Sequence, residues 1–107
     1  MWMETELNDN PDAILVKWEV FEVTINGGTS RHFIGDDLLT QLPRVSSPIL
    51  WYDNKKMLGK TRYNTIYRLL KDPSNKPNAG EVIYEWLTDN GFNCDKVEII
   101  SDKVSYE

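Results

Sequence analysis

The stretch that decides the fold is ILVKWEVFEVTI, residues 14–25. Its hydrophobic side chains first occupy even positions, from Ile14 to Val20, and then odd positions, from Phe21 to Ile25. Alternation with a period of two predicts a β-strand, and a single change of parity predicts a bulge or a sharp bend at that point. We therefore predict one long, bent strand in a curved sheet, with its bulge near Val20–Phe21.

Turn signals divide the next part of the chain into short strands. Asn26-Gly27-Gly28 predicts a tight hairpin, because Asn and Gly tolerate positive φ. Residues 29–35 then return antiparallel, and Asp36 is expected to cap a short helical turn that ends before Pro43. The remaining predicted strands cover residues 44–52, which Pro48 breaks or confines to an edge, and residues 56–62, 65–71 and 96–101.

One helix is predicted from about residue 78 to residue 90. Asn78 and Glu81 have the spacing of a capping box, and Gly91 is placed to end the helix in the left-handed conformation. An apolar stripe at helical spacing is formed by Val82, Ile83, Trp86 and Leu87. The predicted fold class is thus α+β, with this helix packed on a curved, mostly antiparallel sheet of five or six short strands, a meander or a small SH3-like barrel.

Length and composition limit the classes of protein that fit. A chain of 107 residues with 40% hydrophobic and 27% charged residues predicts one globular domain, over residues 13–107, after a flexible acidic arm at residues 1–12. With one cysteine the chain cannot form an internal disulfide. With one cysteine and one histidine, the sequence gives no reason to predict a metal site, a cofactor or an enzyme. The sequence has no membrane-length apolar run and no signal-peptide pattern, so we expect a cytoplasmic protein without a membrane partner.

The middle of the chain is basic although the net charge is −5. Residues 44–76 contain eight basic and two acidic residues, a net of +6. Strand alternation predicts that Lys56, Lys60 and Arg62 share one face. Tyr63 and Arg68 come next in the sequence and complete the set of candidate residues. Cations for phosphates and rings for bases are what a single-stranded nucleic-acid groove needs, which makes the hairpin at 44–71 a candidate anion or nucleic-acid site. The same composition is also typical of a solvated hairpin.

An acidic stripe is predicted on the outer face of the helix, where Glu81, Glu85 and Asp89 recur every four residues. Like charges at this spacing oppose helix formation, and Asp89 lies in the last turn, where the helix dipole disfavours an anion. Local rules that are broken without compensation often mark functional surfaces. The hypothesis is that this stripe binds a basic surface of a protein partner, and the alternative is a solvated helix face.

Other candidate residues favour structural interpretations. His32 is interpreted as a surface or half-buried strand residue, and a catalytic dyad with Cys94 is the alternative. Ser46 and Ser47 are expected to supply strand hydroxyls or a bulge. Three tryptophans on apolar faces, Trp18, Trp51 and Trp86, are expected to pack in the core, and the alternative is a stacking platform for bases or an anchor for a partner.

Several short motifs carry a resemblance. In order along the chain they are Ser30-Arg31-His32-Phe33-Ile34-Gly35, Arg44-Val45-Ser46-Ser47-Pro48-Ile49 followed by Tyr52-Asp53, Tyr67-Arg68-Leu69, and Tyr84-x-Trp86 leading to Asn90-Gly91. The chain departs from the pattern before Tyr67, where Arg62-Tyr63-Asn64-Thr65 replaces a glycine-rich turn. Over roughly residues 18–100 the chain resembles a group of small proteobacterial and phage-type proteins. No activity is established for that group, so the resemblance implies a compact domain of mobile-element origin and assigns no catalytic residue.

The predicted function is therefore that of a small, non-enzymatic protein-binding module. Its most concrete form is a phage or mobile-element inhibitor of a host defence, an anti-CRISPR-like role, or of a host metabolic protein. The alternative is a nucleic-acid-binding module that uses the basic aromatic hairpin at 44–71.

Overall fold

The computed structural model describes residues 11–53, 55–70, 79–92 and 95–100. These residues form seven strands and one helix, which confirms the α+β class and exceeds the five or six strands expected. In chain order the elements are β1 (Ala13–Ile25), β2 (Gly28–Asp37), β3 (Leu42–Val45), β4 (Ile49–Asp53), β5 (Leu58–Thr61), β6 (Ile66–Leu69), α1 (Ala79–Asp89) and β7 (Lys96–Ile99).

Strand β1 is the centre of a sheet with the order β3-β2-β1-β6-β5-β4. One edge of β1 pairs with β2 in antiparallel register. The other edge is divided: residues 13–15 pair with β6 in parallel register, and residues 21–24 pair with β7 in antiparallel register. The sheet is therefore mixed, with the parallel β1–β6 pair beside antiparallel pairs elsewhere, and it is mostly antiparallel as expected. The SH3-like barrel stays a prediction.

The bulge in β1 lies at Lys17 rather than near Val20–Phe21. The register with β2 shifts between Val16 and Glu19, and Lys17 has a φ of 50° in the left-handed region. This extra residue changes the parity of the strand, because Leu15 before it and Trp18 after it belong to the same hydrophobic cluster. The position predicted from the hydrophobic pattern was wrong because β1 is buried on both faces. Hydrophobic residues therefore occur at both parities, and the pattern does not show where the parity changes.

Two hydrophobic clusters cover the two faces of the sheet at β1 and β2. Adjacent residues point to opposite clusters, with Val20 in the first and Phe21 in the second. The first cluster also contains Leu15, Trp18, Phe33, Tyr52, Tyr67 and Leu69. The second cluster contains Phe21, Val23 and Ile34 together with Ile83 and Leu87 of α1. Helix α1 is therefore held on the sheet face that carries the even-numbered residues of β2.

The segment after β2 is a strand and a turn, not the helical turn expected after Asp36. Strand β2 continues to Asp37, a turn follows, and β3 begins at Leu42. The buried Asp37 carboxylate explains the difference. Its Oδ1 accepts hydrogen bonds from the amides of Leu39 at 3.0 Å and Ile14 at 3.3 Å, and its Oδ2 accepts one from Arg44 at 3.2 Å. These bonds tie the turn to both neighbouring strands.

The predicted strand at 44–52 is broken at Pro48, as expected. Strand β3 ends at Val45 and β4 begins at Ile49. Ser46 joins the two by pairing with Phe33: its amide donates to the Phe33 carbonyl at 2.9 Å, and its Oγ accepts from the Phe33 amide at 2.8 Å. Ser46 therefore supplies a hydroxyl to strand β2 from the break between β3 and β4 rather than from within a strand.

Both local turn predictions around the sheet and helix are confirmed. Asn26 and Gly27 have φ of 51° and 82°, the positive values that a two-residue hairpin turn needs. At the end of α1, Gly91 has a φ of 69°, and the amides of Gly91 and Phe92 donate to the carbonyls of Thr88 and Leu87 at 3.0 and 2.9 Å. This is the Schellman arrangement that closes helices.

Some predicted features lie outside the described residues. Asn78, the predicted helix cap, and residues 1–10 of the predicted acidic arm are among them.

Asp12 is bonded to the sheet, because its amide donates to the Ile66 carbonyl and its carboxylate accepts from the Ile66 amide, each at 2.8 Å. Within the part of the chain that the structure describes, no helix is long and apolar enough to cross a membrane.

We predict that Gly59→Ala destabilises the fold. A Cβ at this β5 position would lie 2.6 Å from Cε2 of the Phe33 ring and closer still to its Cζ, and Phe33 is fully buried. The free energy of unfolding should fall by about 1–3 kcal/mol, measured by denaturant titration. Gly80→Ala is the control: no atom lies within 4 Å of its Cβ position in α1, so stability should stay equal or rise by up to about 1 kcal/mol. An unchanged Gly59→Ala variant would show that the Phe33 ring does not occupy this place.

Candidate functional site

A cleft of about 410 Å³ opens between the C-terminal part of α1, strand β2 and the segments that flank β4 and β5. Its volume lies in the range of sites that bind small molecules or short peptide segments. The apolar walls come from β1, β3 and the end of α1, with Val23, Ile25, Val45, Trp86 and Phe92. Four chain segments that are distant in sequence therefore build one concave surface.

The floor of the cleft contains His32, which is only 2% exposed. Its Nδ1 lies 2.8 Å from the Ser46 carbonyl oxygen, which only accepts, so Nδ1 carries the proton. The Nε2 atom then accepts a hydrogen bond from the Ser30 hydroxyl at 2.7 Å. The ring stacks on Phe21, with centroids 5.2 Å apart, and meets Trp86 at 4.8 Å. The expectation of a surface or half-buried histidine is therefore wrong, because α1 covers this face of β2.

The environment of His32 keeps the imidazole neutral. Burial lowers its pKa below the ordinary value of 6.5, the bond to the Ser46 carbonyl opposes this effect, and the charge of Arg62 lowers the pKa further. The net direction is downward. The floor of the cleft therefore contributes hydrogen bonds and an aromatic ring but no positive charge at neutral pH.

Ser30 and His32 are two residues apart on β2 and so share a face. A serine hydroxyl bonded to a neutral imidazole, whose other nitrogen is held in place, is also the geometry that activates a nucleophilic serine. This Ser30–His32 pair differs from the catalytic dyad that the sequence offers as an alternative, which joins His32 to Cys94. Cys94 lies outside the described residues, and the Nε2 of His32 is occupied by Ser30.

Arg62 and Tyr63 lie at the rim of the cleft. The Arg62 amide donates to the Pro48 carbonyl at 2.8 Å, which fixes the backbone, and the Tyr63 side chain is 76% exposed. The Arg62 guanidinium forms no ion pair with any residue that the structure describes. A cation without an ion pair among the described residues and an exposed ring therefore lie together at the rim of this cleft.

A second, shallower cleft of about 280 Å³ adjoins the first. The two share Ser30, Pro48 and Arg62. The second cleft also contains Arg31, whose Nε donates to the Glu22 carboxylate at 3.0 Å. Because Glu22 neutralises Arg31, Arg62 supplies the net positive charge between the two clefts.

The structure separates the five residues predicted for the basic hairpin. Arg62 and Tyr63 line the first cleft, whereas Lys56, Lys60 and Arg68 line neither cleft. Lys56 lies in the turn before β5, which spans only residues 58–61, and Arg62 lies in the turn after it. Strand alternation therefore applies to Lys60 alone, and the predicted common face of Lys56, Lys60 and Arg62 does not follow from it.

The three acidic residues predicted for the outer face of the helix, Glu81, Glu85 and Asp89, are all exposed on α1. The buried side of the helix is formed by Ile83 and Leu87. No basic residue occupies the last turn of α1, and none of the three carboxylates forms an ion pair with a residue in the described ranges. The acidic stripe exists as a surface, and its binding role stays a prediction.

Across residues 11–53, 55–70, 79–92 and 95–100, no group of three or more His, Cys, Asp or Glu side chains is arranged to hold a metal ion. What the first cleft offers a ligand is aromatic surface, hydroxyl and amide groups, and the Arg62 guanidinium.

Comparison of the chain with protein-family models, with curated proteins and with solved structures finds no match. No residue role is therefore transferred from a relative, and the function rests on the clefts and the charged surface of α1.

The sequence did not indicate that Ser30, Trp86 and Phe92 belong to one site. The period of two in β2 shows that Ser30 and His32 share a face, which was a usable signal. No pattern in the sequence indicates that Trp86 and Phe92 lie above that face, because their position depends on how α1 packs on the sheet.

We predict that the neutral, buried His32 makes the fold less stable as the pH falls below 6.5. The unfolded chain has the ordinary histidine pKa of 6.5 and the folded chain a lower one, so the unfolded state takes up the proton first. The stabilisation is fully present above this value and is lost progressively as the pH falls toward the folded pKa. Denaturant titrations between about pH 7.5 and pH 5 measure this loss.

The control is His32→Asn, which retains an amide donor near the position of Nδ1 but does not titrate. Because the chain has one histidine, the variant should show a much flatter pH dependence in this window, whatever its absolute stability. An equal slope in both proteins would contradict the neutral, buried state of His32.

Proposed function

We propose that the protein is a small, non-enzymatic protein-binding module that docks through α1 and the cleft beside it. The observation that carries the proposal is the position of α1. Trp86 and Asn90 line the open cleft, while Glu81, Glu85 and Asp89 face solvent on the same helix. One short helix thus presents a cleft with aromatic walls and an acidic stripe to a single partner.

The charge of α1 defines the chemistry of the partner. Its three exposed carboxylates have no cation in the last helical turn, and the chain carries a net charge of −5. A complementary surface is basic, and charge complementarity of this kind favours encounter and orientation more than raw affinity. Tyr84 is 70% exposed on the same helix and offers an aromatic contact.

The resemblance to phage-type proteins supports a narrower proposal. In this proposal the partner is a bacterial host protein with a basic surface, either a defence protein inhibited in an anti-CRISPR-like manner or a metabolic protein, and binding takes place in the cytoplasm. A basic surface that normally holds nucleic acid is the kind of surface that the acidic stripe complements.

A second candidate function is nucleic-acid binding. The observation that favours it is the contact of one cation, Arg62, and one exposed ring, Tyr63, with the same cleft. Two features weigh against it. Lys56, Lys60 and Arg68 lie outside the cleft, and the carboxylates of α1 beside it repel a polyanion.

We predict that the triple variant Glu81→Gln, Glu85→Gln, Asp89→Asn loses partner binding without loss of fold. It keeps the shape of α1 and removes the stripe charge. The partner is captured from a host extract with the wild-type protein, purified and titrated by calorimetry. We expect affinity to fall by tenfold or more, on the order of 1.4 kcal/mol, and the melting temperature to stay equal or rise slightly, since repulsion between like charges is relieved.

The matched control removes three charges of the opposite sign with Lys55→Gln, Lys56→Gln and Lys60→Gln. It should retain the partner. Affinity for single-stranded oligonucleotide that falls in an Arg62→Gln variant and declines linearly with salt on a log–log plot would favour the second function. Unchanged partner affinity in the acidic variant, or covalent labelling of Ser30 by a fluorophosphonate, would contradict the proposal of a non-enzymatic module docking through α1.

A further inference from the structure

The two adjoining clefts form one bipartite site with Arg62 between them. The larger part combines aromatic and aliphatic walls with hydroxyl and amide groups, and the smaller part is more polar. Ser30, Pro48 and Arg62 border both parts, so a ligand that extends from one part into the other lies close to Arg62.

The larger part suits an aromatic ring. Trp86 makes edge contacts with Phe92 at 5.6 Å and with His32 at 4.8 Å between centroids, so three rings already surround the space. Phe92 is 40% exposed and Tyr63 is 76% exposed, which leaves apolar ring surface uncovered. An incoming ring gains offset or edge contacts with these side chains beyond the burial of its own surface.

The smaller part suits a single negative charge. Glu22 already neutralises Arg31 at 3.0 Å, and the Arg62 guanidinium has no carboxylate partner among the described residues. Both ring nitrogens of His32 are occupied by Ser46 and Ser30, so the histidine offers no further cation. One net positive charge matches a carboxylate better than a chain of phosphates.

We infer that this bipartite site binds an extended segment of the partner protein in which an aromatic residue and an acidic residue lie two positions apart. The ring enters the larger cleft and the carboxylate binds Arg62. In an extended chain, residues i and i+2 point to the same side and are separated by about 6.6 Å. We expect this spacing to suit two clefts that share three lining residues. This inference rests on the proposed function, because it names the chemistry of the partner's anchor.

The test uses blocked tripeptides of matched shape. Acetyl-Trp-Ala-Glu-amide carries the ring and the charge, acetyl-Trp-Ala-Gln-amide lacks the charge, and acetyl-Ala-Ala-Glu-amide lacks the ring. Amide chemical-shift titration of the wild-type protein should show the first peptide binding about fivefold tighter than the second, the gain expected of one exposed ion pair. The third peptide should bind most weakly, and the shifts should centre on Ser30, Arg62, Trp86 and Phe92.

Arg62→Gln is the decisive variant, because Arg62 is exposed and its substitution leaves the core intact. In this variant the two tryptophan peptides should bind equally. Lys56→Gln removes an exposed cation that lines neither cleft and should keep the preference for the charged peptide. An equal preference for charge in wild type and Arg62→Gln would overturn the inference.

Two further outcomes separate this inference from the proposed function. If adenosine monophosphate binds the clefts more tightly than the charged peptide and loses affinity in Arg62→Gln, the site recognises nucleotides and the peptide inference is overturned. If no peptide binds but the acidic-stripe variant still loses the partner, the inference fails while the proposed docking through α1 stands.

Discussion

The left-handed backbone at Lys17 is the constraint on which the rest of the fold depends. One extra residue in β1 changes its parity, so Leu15 and Trp18 fill the same cluster while Phe21 and Val23 turn to the opposite face. The bend also divides one edge of the strand between a parallel partner and an antiparallel partner. A straight strand would keep a single parity along its length, which is incompatible with this division of the core.

The candidate site follows from this arrangement. Because β1 and β2 are buried on both faces, His32 and Ile34 point toward α1 while Phe33 points toward the first cluster. Ser46 then bonds both the backbone of Phe33 and the ring of His32, which closes the floor of the cleft. Burial and the charge of Arg62 lower the pKa of His32 against the opposing effect of the Ser46 bond, so the imidazole is neutral and the charge that a ligand meets comes from Arg62 at the rim.

The charged surfaces were partly predictable. The acidic stripe on α1 follows from a spacing of four residues in a helix with local end signals, and the structure places all three carboxylates in solvent. The basic hairpin was predicted from its residue composition, which does not specify how its side chains are arranged in space. Its strands are shorter than expected, so Arg62 and Tyr63 reach the cleft while Lys56, Lys60 and Arg68 do not.

The sequence by itself determined the local features: the positive-φ turn at Asn26-Gly27, the break at Pro48, and the end of α1 at Gly91. These depend on a few neighbouring residues with distinct backbone preferences, which a sequence displays directly. Only the tertiary structure decided the bulge position, the parallel pairing of β1 with β6, and the burial of His32. The physical reason is that a strand covered on both faces has no polar side to mark its orientation, and a cleft built from distant segments exists only after they pack.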